Sequence, residues 1–234
     1  MRIVANERTI RRGALIGRYA SIAGLLVMLV ALILSLFWMS ESPLIPPGMW
    51  LALLVGVLLS LIGGYYAERF EGPRAHYRSV REALKGLDHR YTLYQHVLPA
   101  SHVLLGPDGL TIIVVRSIPG RVIYENGRWK WQQRWKFLRL LVGEGLGVPE
   151  AEVAHELRRM ARYLGKILPE VSVPMRGVVL FTHPDVRLDV KDPPVPVLLA
   201  RKLKDWLRGP GAARAMPAAA RRQLEEALPG GEGL

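Results

Sequence analysis

The chain has no cysteine among its 234 residues. This absence excludes a disulfide framework, a zinc site with thiolate ligands and a cysteine nucleophile. It also fits a reducing compartment such as the cytoplasm. Each of the six histidines stands alone in the sequence, so no zinc-binding pair is indicated.

Charge is missing from one long window. Residues 19–67 contain no lysine or arginine, and Glu41 is their only acid. Two apolar runs, residues 19–38 and 49–67, fill this window, and a helix of about 20 residues crosses a hydrocarbon core of roughly 30 Å. The pattern therefore predicts two transmembrane helices. The alternative, a buried helical hairpin in a soluble protein, is disfavoured because two uncharged runs of this length are rare in a soluble core.

The residues around the two runs predict an orientation. Pro43, Pro46, Pro47 and Gly48 interrupt any helix and predict a short turn that carries no base. Arginines flank the runs on the other side, at positions 2, 8, 11, 12 and 18 before them and 69, 74, 78 and 81 after them. The positive-inside rule then predicts an integral protein of the cytoplasmic membrane, with both termini in the cytoplasm and the turn outside.

Four regions follow from this reading. We expect a basic cytoplasmic N-terminal segment (1–18), a two-helix transmembrane hairpin (19–67), an α/β domain (68–208) and a flexible tail rich in Ala, Gly and Pro (209–234). Within the tail, residues 218–228 favour one short helix. Five of the 32 bases and two of the 20 acids precede residue 68, so residues 68–234 carry 27 bases, 18 acids and a net charge of +9. Such a surplus suits nucleic-acid phosphates or anionic lipid headgroups, and charge alone does not choose between them.

The α/β domain shows a recognisable order of elements. Helical spacing of apolar residues, strand-like alternation and Gly-containing turns predict a helix, strands that include a buried central one, a hairpin, and then a helix, a strand and a last helix. In sequence these are 75–87, then 91–99, 101–106 and 110–116, the hairpin 120–132, and finally 149–168, 176–184 and 195–209. This order predicts one α/β domain.

Five blocks in this domain resemble the nuclease-related domain, NERD, a relative of the PD-(D/E)xK nucleases. They are "VREALKGLDHRY", "HVLPASHVLLGPDGLTIIVVRSIPGRV", "LGVPEAEVAHELRRMARYLG", "VVLFTHPDVRL" and "PVPVLLARKLKDWL". The resemblance covers residues 74–208 and implies a PD-(D/E)xK-like fold, with a mixed central sheet flanked by helices.

The resemblance also implies a metal site, and this sequence departs from it. The family pattern has a glutamate on the first helix, an aspartate before the central strand, and E-x-K along that strand. The matching positions here are Tyr77, Ser101, Val114 and Arg116. Metal-assisted phosphodiester cleavage needs hard oxygen ligands, and arginine is a poor proton donor because it does not deprotonate. We therefore expect no catalytic residue, no metal and no cofactor.

A segment at residues 127–143 interleaves bases with aromatic rings. The candidate contacts to nucleic acid or lipid are Arg116, Arg121, Arg128, Lys130, Arg134, Trp135, Lys136 and Arg139. The simplest interpretation is structural, with Trp129 and Trp131 covering a sheet and Trp135 in a helical core stripe. Stacking with single-stranded nucleic acid and lying in the membrane interface are the two functional interpretations.

Three functions remain open at this point. The first is a membrane-anchored NERD-like module without catalytic activity, which binds or scaffolds a partner. The second is a membrane-tethered nucleic-acid-binding protein, and the third is an active metal-dependent nuclease whose ligands have migrated. Gly63 and Gly64 would allow a homo-oligomer of the helices, although packing within one chain is the favoured interpretation.

Overall fold

The computed structural model describes residues 1–38, 47–72, 75–132, 145–209 and 215–230. The chain forms two compact units. One is helical and lies within residues 11–75, and the other is an α/β unit that includes residues 1–10, 76–132 and 146–230.

The helical unit consists of two long helices, α1 (Glu7–Trp38) and α2 (Pro47–Phe70). Helix α1 begins twelve residues before the predicted start at residue 19. The reason is a local cap, because the Asn6 side-chain oxygen accepts a hydrogen bond of 2.9 Å from the backbone N–H of Thr9. The expected N-terminal segment of residues 1–18 therefore contains the first three turns of this helix.

Small residues let the two helices approach closely. A Cβ added at Gly24 would lie 2.8 Å from the carbonyl oxygen of Gly56, and one added at Gly63 would lie 2.6 Å from the backbone nitrogen of Ser21. Gly63 thus serves packing inside the hairpin, as in small-residue interfaces of membrane helices. Directly after the end of α2, Glu71 forms an ion pair of 2.8 Å with Arg18 of α1.

The apolar side chains of both helices face outward. Large residues such as Leu25, Phe37, Trp50 and Leu51 are more than 40% exposed. Both helices are long and apolar enough to cross a membrane, and only 11% of the most apolar window of each is buried. The prediction of two apolar helices that could span a membrane is confirmed at this level.

Within the described residues, the α/β unit contains two sheets. The larger has six strands in the order β1-β2-β3-β4-β7-β9, and the smaller has three in the order β6-β5-β8. In chain order the strands are β1 (Arg2–Ala5), β2 (Thr92–Gln95), β3 (His102–Gly106), β4 (Gly109–Arg116), β5 (Gly120–Glu125), β6 (Arg128–Gln132), β7 (Met175–Phe181), β8 (Val186–Val190) and β9 (Val197–Leu199). The helices are α3 (His76–Leu84), α4 (Pro149–Ile167), α5 (Leu203–Arg208) and α6 (Ala218–Ala227).

Strand β4 is the centre of the larger sheet, and all eight of its residues are buried. It pairs antiparallel with β3 and parallel with β7. Ile112 packs with residues of α4 on one face, whereas Ile113 and Val115 pack with residues of α3 on the other. The prediction of a mixed α/β sheet flanked by helices is confirmed.

The N-terminus belongs to this sheet, which the sequence did not predict. Strand β1 pairs parallel with β2, and the backbone N–H of Arg2 donates to the carbonyl of Tyr91 at 2.9 Å. Val4 is buried in the core. Residues 1–18 are therefore more than a basic segment in front of a membrane helix.

The C-terminal residues also differ from expectation. Met216, Leu224 and Leu228 are buried in the same core cluster as Met160 and Leu164 of α4. Leu224 lies on α6 and Leu228 directly follows this helix, so both lie at the same side of its C-terminal end. The description of residues 209–234 as a flexible tail is wrong for residues 215–230.

Candidate functional site

Val114 and Arg116 are two residues apart on β4, so both side chains lie on the same face of the sheet. Val114 is 5% exposed and belongs to an apolar cluster with Val122, Val153 and Val179. The position that the E-x-K pattern gives to a metal carboxylate is therefore part of the hydrophobic core.

Arg116 is buried and fully engaged within the protein. Its two terminal nitrogens contact the two carboxylate oxygens of Glu152, Nη1 at 3.4 Å from Oε1 and Nη2 in a shorter contact with Oε2. Its Nη1 also donates to the carbonyl of Val115 at 3.2 Å, and its Nε donates to the carbonyl of Leu146 at 3.3 Å. A paired carboxylate and two carbonyls offset the cost of burying this cation.

The start of α4 explains how Glu152 reaches Arg116. The helix begins at Pro149, which suits a first turn because its missing N–H would have no helical partner there. Glu150 and Glu152 lie in that first turn, where the helix dipole favours acids. The turn thus presents one carboxylate to Arg116, while Glu150 accepts a hydrogen bond of 2.6 Å from the Trp129 indole.

Ser101 and Tyr77, the other two positions that match acids of the family pattern, do not join Val114 and Arg116 as metal ligands. Ser101 precedes β3, and its carbonyl accepts a hydrogen bond of 2.9 Å from the backbone of His96. Tyr77 lies on α3, whose buried residues pack on the face of β4 opposite to Val114. The Tyr77 hydroxyl accepts a hydrogen bond from the Arg78 side chain at 2.8 Å.

These residues do not fit the magnesium ion that the nuclease resemblance implies. Mg²⁺ prefers carboxylate oxygens in near-octahedral geometry, and valine, serine and tyrosine supply none. Within the described ranges, no group of three or more His, Asp and Glu side chains could hold a metal ion. Glu152 is the carboxylate beside Arg116 that a migrated metal ligand would have to be, and it forms an ion pair with Arg116.

Other acids near the sheet are also engaged. Asp108 forms an ion pair with Arg176 at 2.6 Å. Residues 183–192, which include three aspartates, contain strand β8, and Asp189 of this strand is bound by Arg121. Val186, Leu188 and Val190 alternate with polar residues, which is a strand pattern. The strand has only five residues, too few for this pattern to identify it from the sequence.

The tryptophans of β6 face the core. Trp129 packs against the Tyr124 ring with centroids 4.6 Å apart, and the Trp131 indole donates to the carbonyl of Pro119 at 2.7 Å. Both rings pack against the apolar cluster of Val114. This arrangement agrees with the structural interpretation of the segment up to residue 132.

The opposite face of the three-stranded sheet is basic. We call it the outer face. The strand register places the charged residues Arg121, Glu125, Arg128, Lys130, Arg187 and Asp189 on it, and Lys191, directly after β8, joins them through its ion pair with Glu125. Five bases and two acids leave this face with a net charge of +3. The Lys191 ammonium is 2.9 Å from Glu125 and lowers the pKa of that carboxyl, while Glu125 raises the pKa of Lys191.

The predicted contact residues fall into three groups: one is buried, three lie on the outer face, and four lie outside the described residues. Arg116 is buried, and Arg121 is paired with Asp189 on the outer face. Arg128 and Lys130 are exposed there. Arg134, Trp135, Lys136 and Arg139 lie outside the described residues. Sequence reasoning missed Arg187, which the parallel pairing of β5 with β8 places opposite Arg121.

Comparisons of the chain with protein-family models, with curated proteins and with solved structures find no match. The resemblance to NERD therefore rests on the five sequence blocks.

Proposed function

We propose that this chain is a membrane-anchored protein whose α/β unit is a NERD-like module that binds a partner without cutting it. The order of α3, the antiparallel strands β2 to β4, helix α4 and the parallel strand β7 supports the PD-(D/E)xK-like assignment. The apolar surfaces of α1 and α2 support the membrane anchor.

One observation carries the proposal. At the position of the nuclease E-x-K motif, Val114 is packed among apolar side chains and Arg116 is bound to Glu152. A nuclease of this kind needs an anionic cage for a divalent cation and a lysine beside it. This protein uses the same strand positions for core packing and for an internal ion pair.

The direct test is a nuclease assay on the full chain in detergent. DNA and RNA are incubated with the protein and Mg²⁺ or Mn²⁺, and Glu152→Gln serves as the matched variant. We expect no cleavage above the metal-only control. Cleavage that disappears in Glu152→Gln would instead establish a nuclease with a migrated ligand.

The proposed topology has its own test, because the chain offers no native cysteine. Single cysteines are introduced by Ser42→Cys in the predicted external turn and by Ala219→Cys, which is exposed on α6. A membrane-impermeant thiol reagent applied to intact cells should label only Ser42→Cys. Labelling of Ala219→Cys before permeabilisation would contradict the cytoplasmic location.

The second candidate function is nucleic-acid binding, and the outer face favours it. Arg128, Lys130 and Arg187 are exposed and have no ion pair within the described part of the chain. Each base that neutralises a phosphate releases a counterion, so three contacts to a single strand give a log–log salt slope of about −2.

A salt titration with single-stranded DNA and RNA tests this candidate. The variant Arg128→Gln/Lys130→Gln/Arg187→Gln should lose the salt-dependent binding. The control Arg201→Gln/Lys202→Gln/Arg222→Gln removes the same charge from exposed residues elsewhere. No binding at low salt, or equal loss in both variants, would eliminate the outer face as a nucleic-acid site.

A further inference from the structure

Helix α4 carries a cavity that is open to solvent and lies outside the site described above. Its volume is about 350 Å³, and it is lined by Pro99, Arg159, Arg162, Tyr163 and Lys166. Pro99 comes from the loop between β2 and β3, and the other four residues lie on α4. Pockets for small ligands begin at about this size.

The spacing of the bases places them together. Arg159, Arg162 and Lys166 stand three and four residues apart, so their side chains share one face of the helix. Like charges at these spacings destabilise a helix. The helix dipole favours Lys166 in the last turn, but it gives no reason for three bases to surround one cavity.

Only part of this charge is neutralised. Glu156 accepts a hydrogen bond of 3.2 Å from Arg159. Arg162 and Lys166 have no ion pair or side-chain hydrogen bond to any residue that the structure describes. Three cations and one carboxylate leave two positive charges at the cavity.

We propose that this cavity binds the dianion of a phosphate monoester. Such a group carries a charge of about −1.5 to −2 at pH 7 and has three strong acceptor oxygens. Arginine binds phosphate through two parallel hydrogen bonds, and lysine adds a mobile point charge. The remaining volume beside Pro99 and Tyr163 accommodates the organic group that carries the phosphate.

The charge of the cavity distinguishes a monoester from a diester. A diester, as in a nucleic-acid backbone, carries a single negative charge and would leave one cation unbalanced. The inference names a ligand class for the binding role proposed above and rests on that role. Its test does not involve metal, cleavage or the outer face, so either proposal can fail alone.

The experiment uses the full chain in phosphatidylcholine nanodiscs and calorimetric titration with glycerol 3-phosphate. We expect saturable binding that the variant Arg162→Gln/Lys166→Gln weakens at least tenfold. The control Arg201→Gln/Lys202→Gln removes the same charge from the short turn that directly precedes α5, and its affinity should stay within twofold of the parent. Inorganic phosphate should compete for the site.

The pH dependence provides a second readout. The second pKa of a phosphate monoester is about 6, so affinity should fall as the pH is lowered from 7.5 to about 5.5. The titratable residues of α4 and of the loop near this face are Glu156, His155 and His96, and any proton that the protein gains can only make the cavity more positive, which would strengthen anion binding. A fall in affinity at lower pH would therefore reflect protonation of the phosphate ligand and not of the protein.

Two further titrations identify the source of the phosphate group. If a lipid supplies it, nanodiscs that contain phosphatidic acid should weaken the apparent affinity for glycerol 3-phosphate, and discs with phosphatidylglycerol, a diester, should not. If a soluble metabolite supplies it, neither lipid should compete. Both results support the site.

Three results would overturn the proposal. Glycerol 3-phosphate does not bind, or the variant Arg162→Gln/Lys166→Gln binds it as the parent does. Alternatively, a single-stranded oligonucleotide without a terminal phosphate occupies the cavity equally well and its binding is lost in the same variant. The last result would assign the cavity to a nucleic-acid backbone.

Discussion

Replacing Glu152 with glutamine removes the negative charge that balances the buried Arg116 and changes little else. Glutamine has nearly the same shape and keeps one acceptor oxygen, but it leaves the guanidinium without a counter-charge. The Arg116 side chain is 7% exposed and that of Glu152 is 35% exposed. We therefore expect Glu152→Gln to lower the free energy of unfolding of the α/β unit.

The size of the loss follows from this burial. Removing one partner of a buried ion pair costs about 3–5 kcal/mol. Because Glu152 is one-third exposed and glutamine still accepts a hydrogen bond, we expect a loss of about 2–3 kcal/mol. In a unit of this length each kcal/mol lowers the Tm by about 2–4 °C, so the Tm should fall by roughly 4–12 °C.

The assay is thermal unfolding of the full chain in detergent, followed by circular dichroism. Arg116→Met and the double variant complete a double-mutant cycle. The double variant should be less destabilised than the sum of the two single variants, because it contains no buried unpaired cation. A Glu152→Gln Tm equal to the parent's, or strict additivity, would refute a structural role for this pair.

Four smaller predictions follow from the same structure. Val114→Thr places a hydroxyl in an apolar cluster and should cost about 1–3 kcal/mol in denaturant unfolding, whereas a neutral effect would mean that the site is hydrated. Leu224→Ala should cost about 2–5 kcal/mol, and a loss below about 0.5 kcal/mol would restore the flexible-tail description. Trp129→Phe should lower stability by about 1 kcal/mol through the lost indole hydrogen bond without changing affinity for single-stranded nucleic acid, and the reverse pattern would favour a stacking role. Lys191 lowers the folded-state pKa of Glu125, so the stability that this ion pair contributes is present above the ordinary pKa of 4.5 and is lost as the pH falls through the lowered pKa. Glu125→Gln should therefore flatten the dependence of the Tm on pH in that acidic range. An unchanged pH dependence would contradict the assignment.

Local patterns predicted the central elements well. The run "LTIIVVR" indicated a buried central strand, and β4 is buried along its whole length. Asn126 and Gly127 indicated a tight hairpin, and both have the positive φ angles, 52° and 72°, that a type I′ turn requires. These features depend on neighbouring residues, which a sequence displays directly.

The elements that were missed depend on distant partners. Strand β1 has four residues, and its hydrogen-bonding partner β2 begins at Thr92. The sequence indicated a short helix at residues 218–228 in the tail, but it did not indicate that Leu224 of this helix packs with residues of α4. When a segment is short and its partner is distant in sequence, it contains too few periodic residues to show that it pairs in a sheet or packs in a core.

The candidate site shows the same division. The family resemblance identified Val114 and Arg116 and suggested that the carboxylate positions had been replaced. It did not supply Glu152, which lies 36 residues after Arg116 and meets it through the packing of α4 on the sheet. Likewise, Arg187 joins the outer face only because β8 pairs with β5.

The central claim is that the strand positions of Val114 and Arg116 hold no divalent cation. Titration of Mn²⁺ into the full chain, followed by electron paramagnetic resonance of the free ion, measures this directly. We expect no stoichiometric binding and identical curves for the parent and Glu152→Gln. One tightly bound Mn²⁺ per chain that is lost in Glu152→Gln would contradict it.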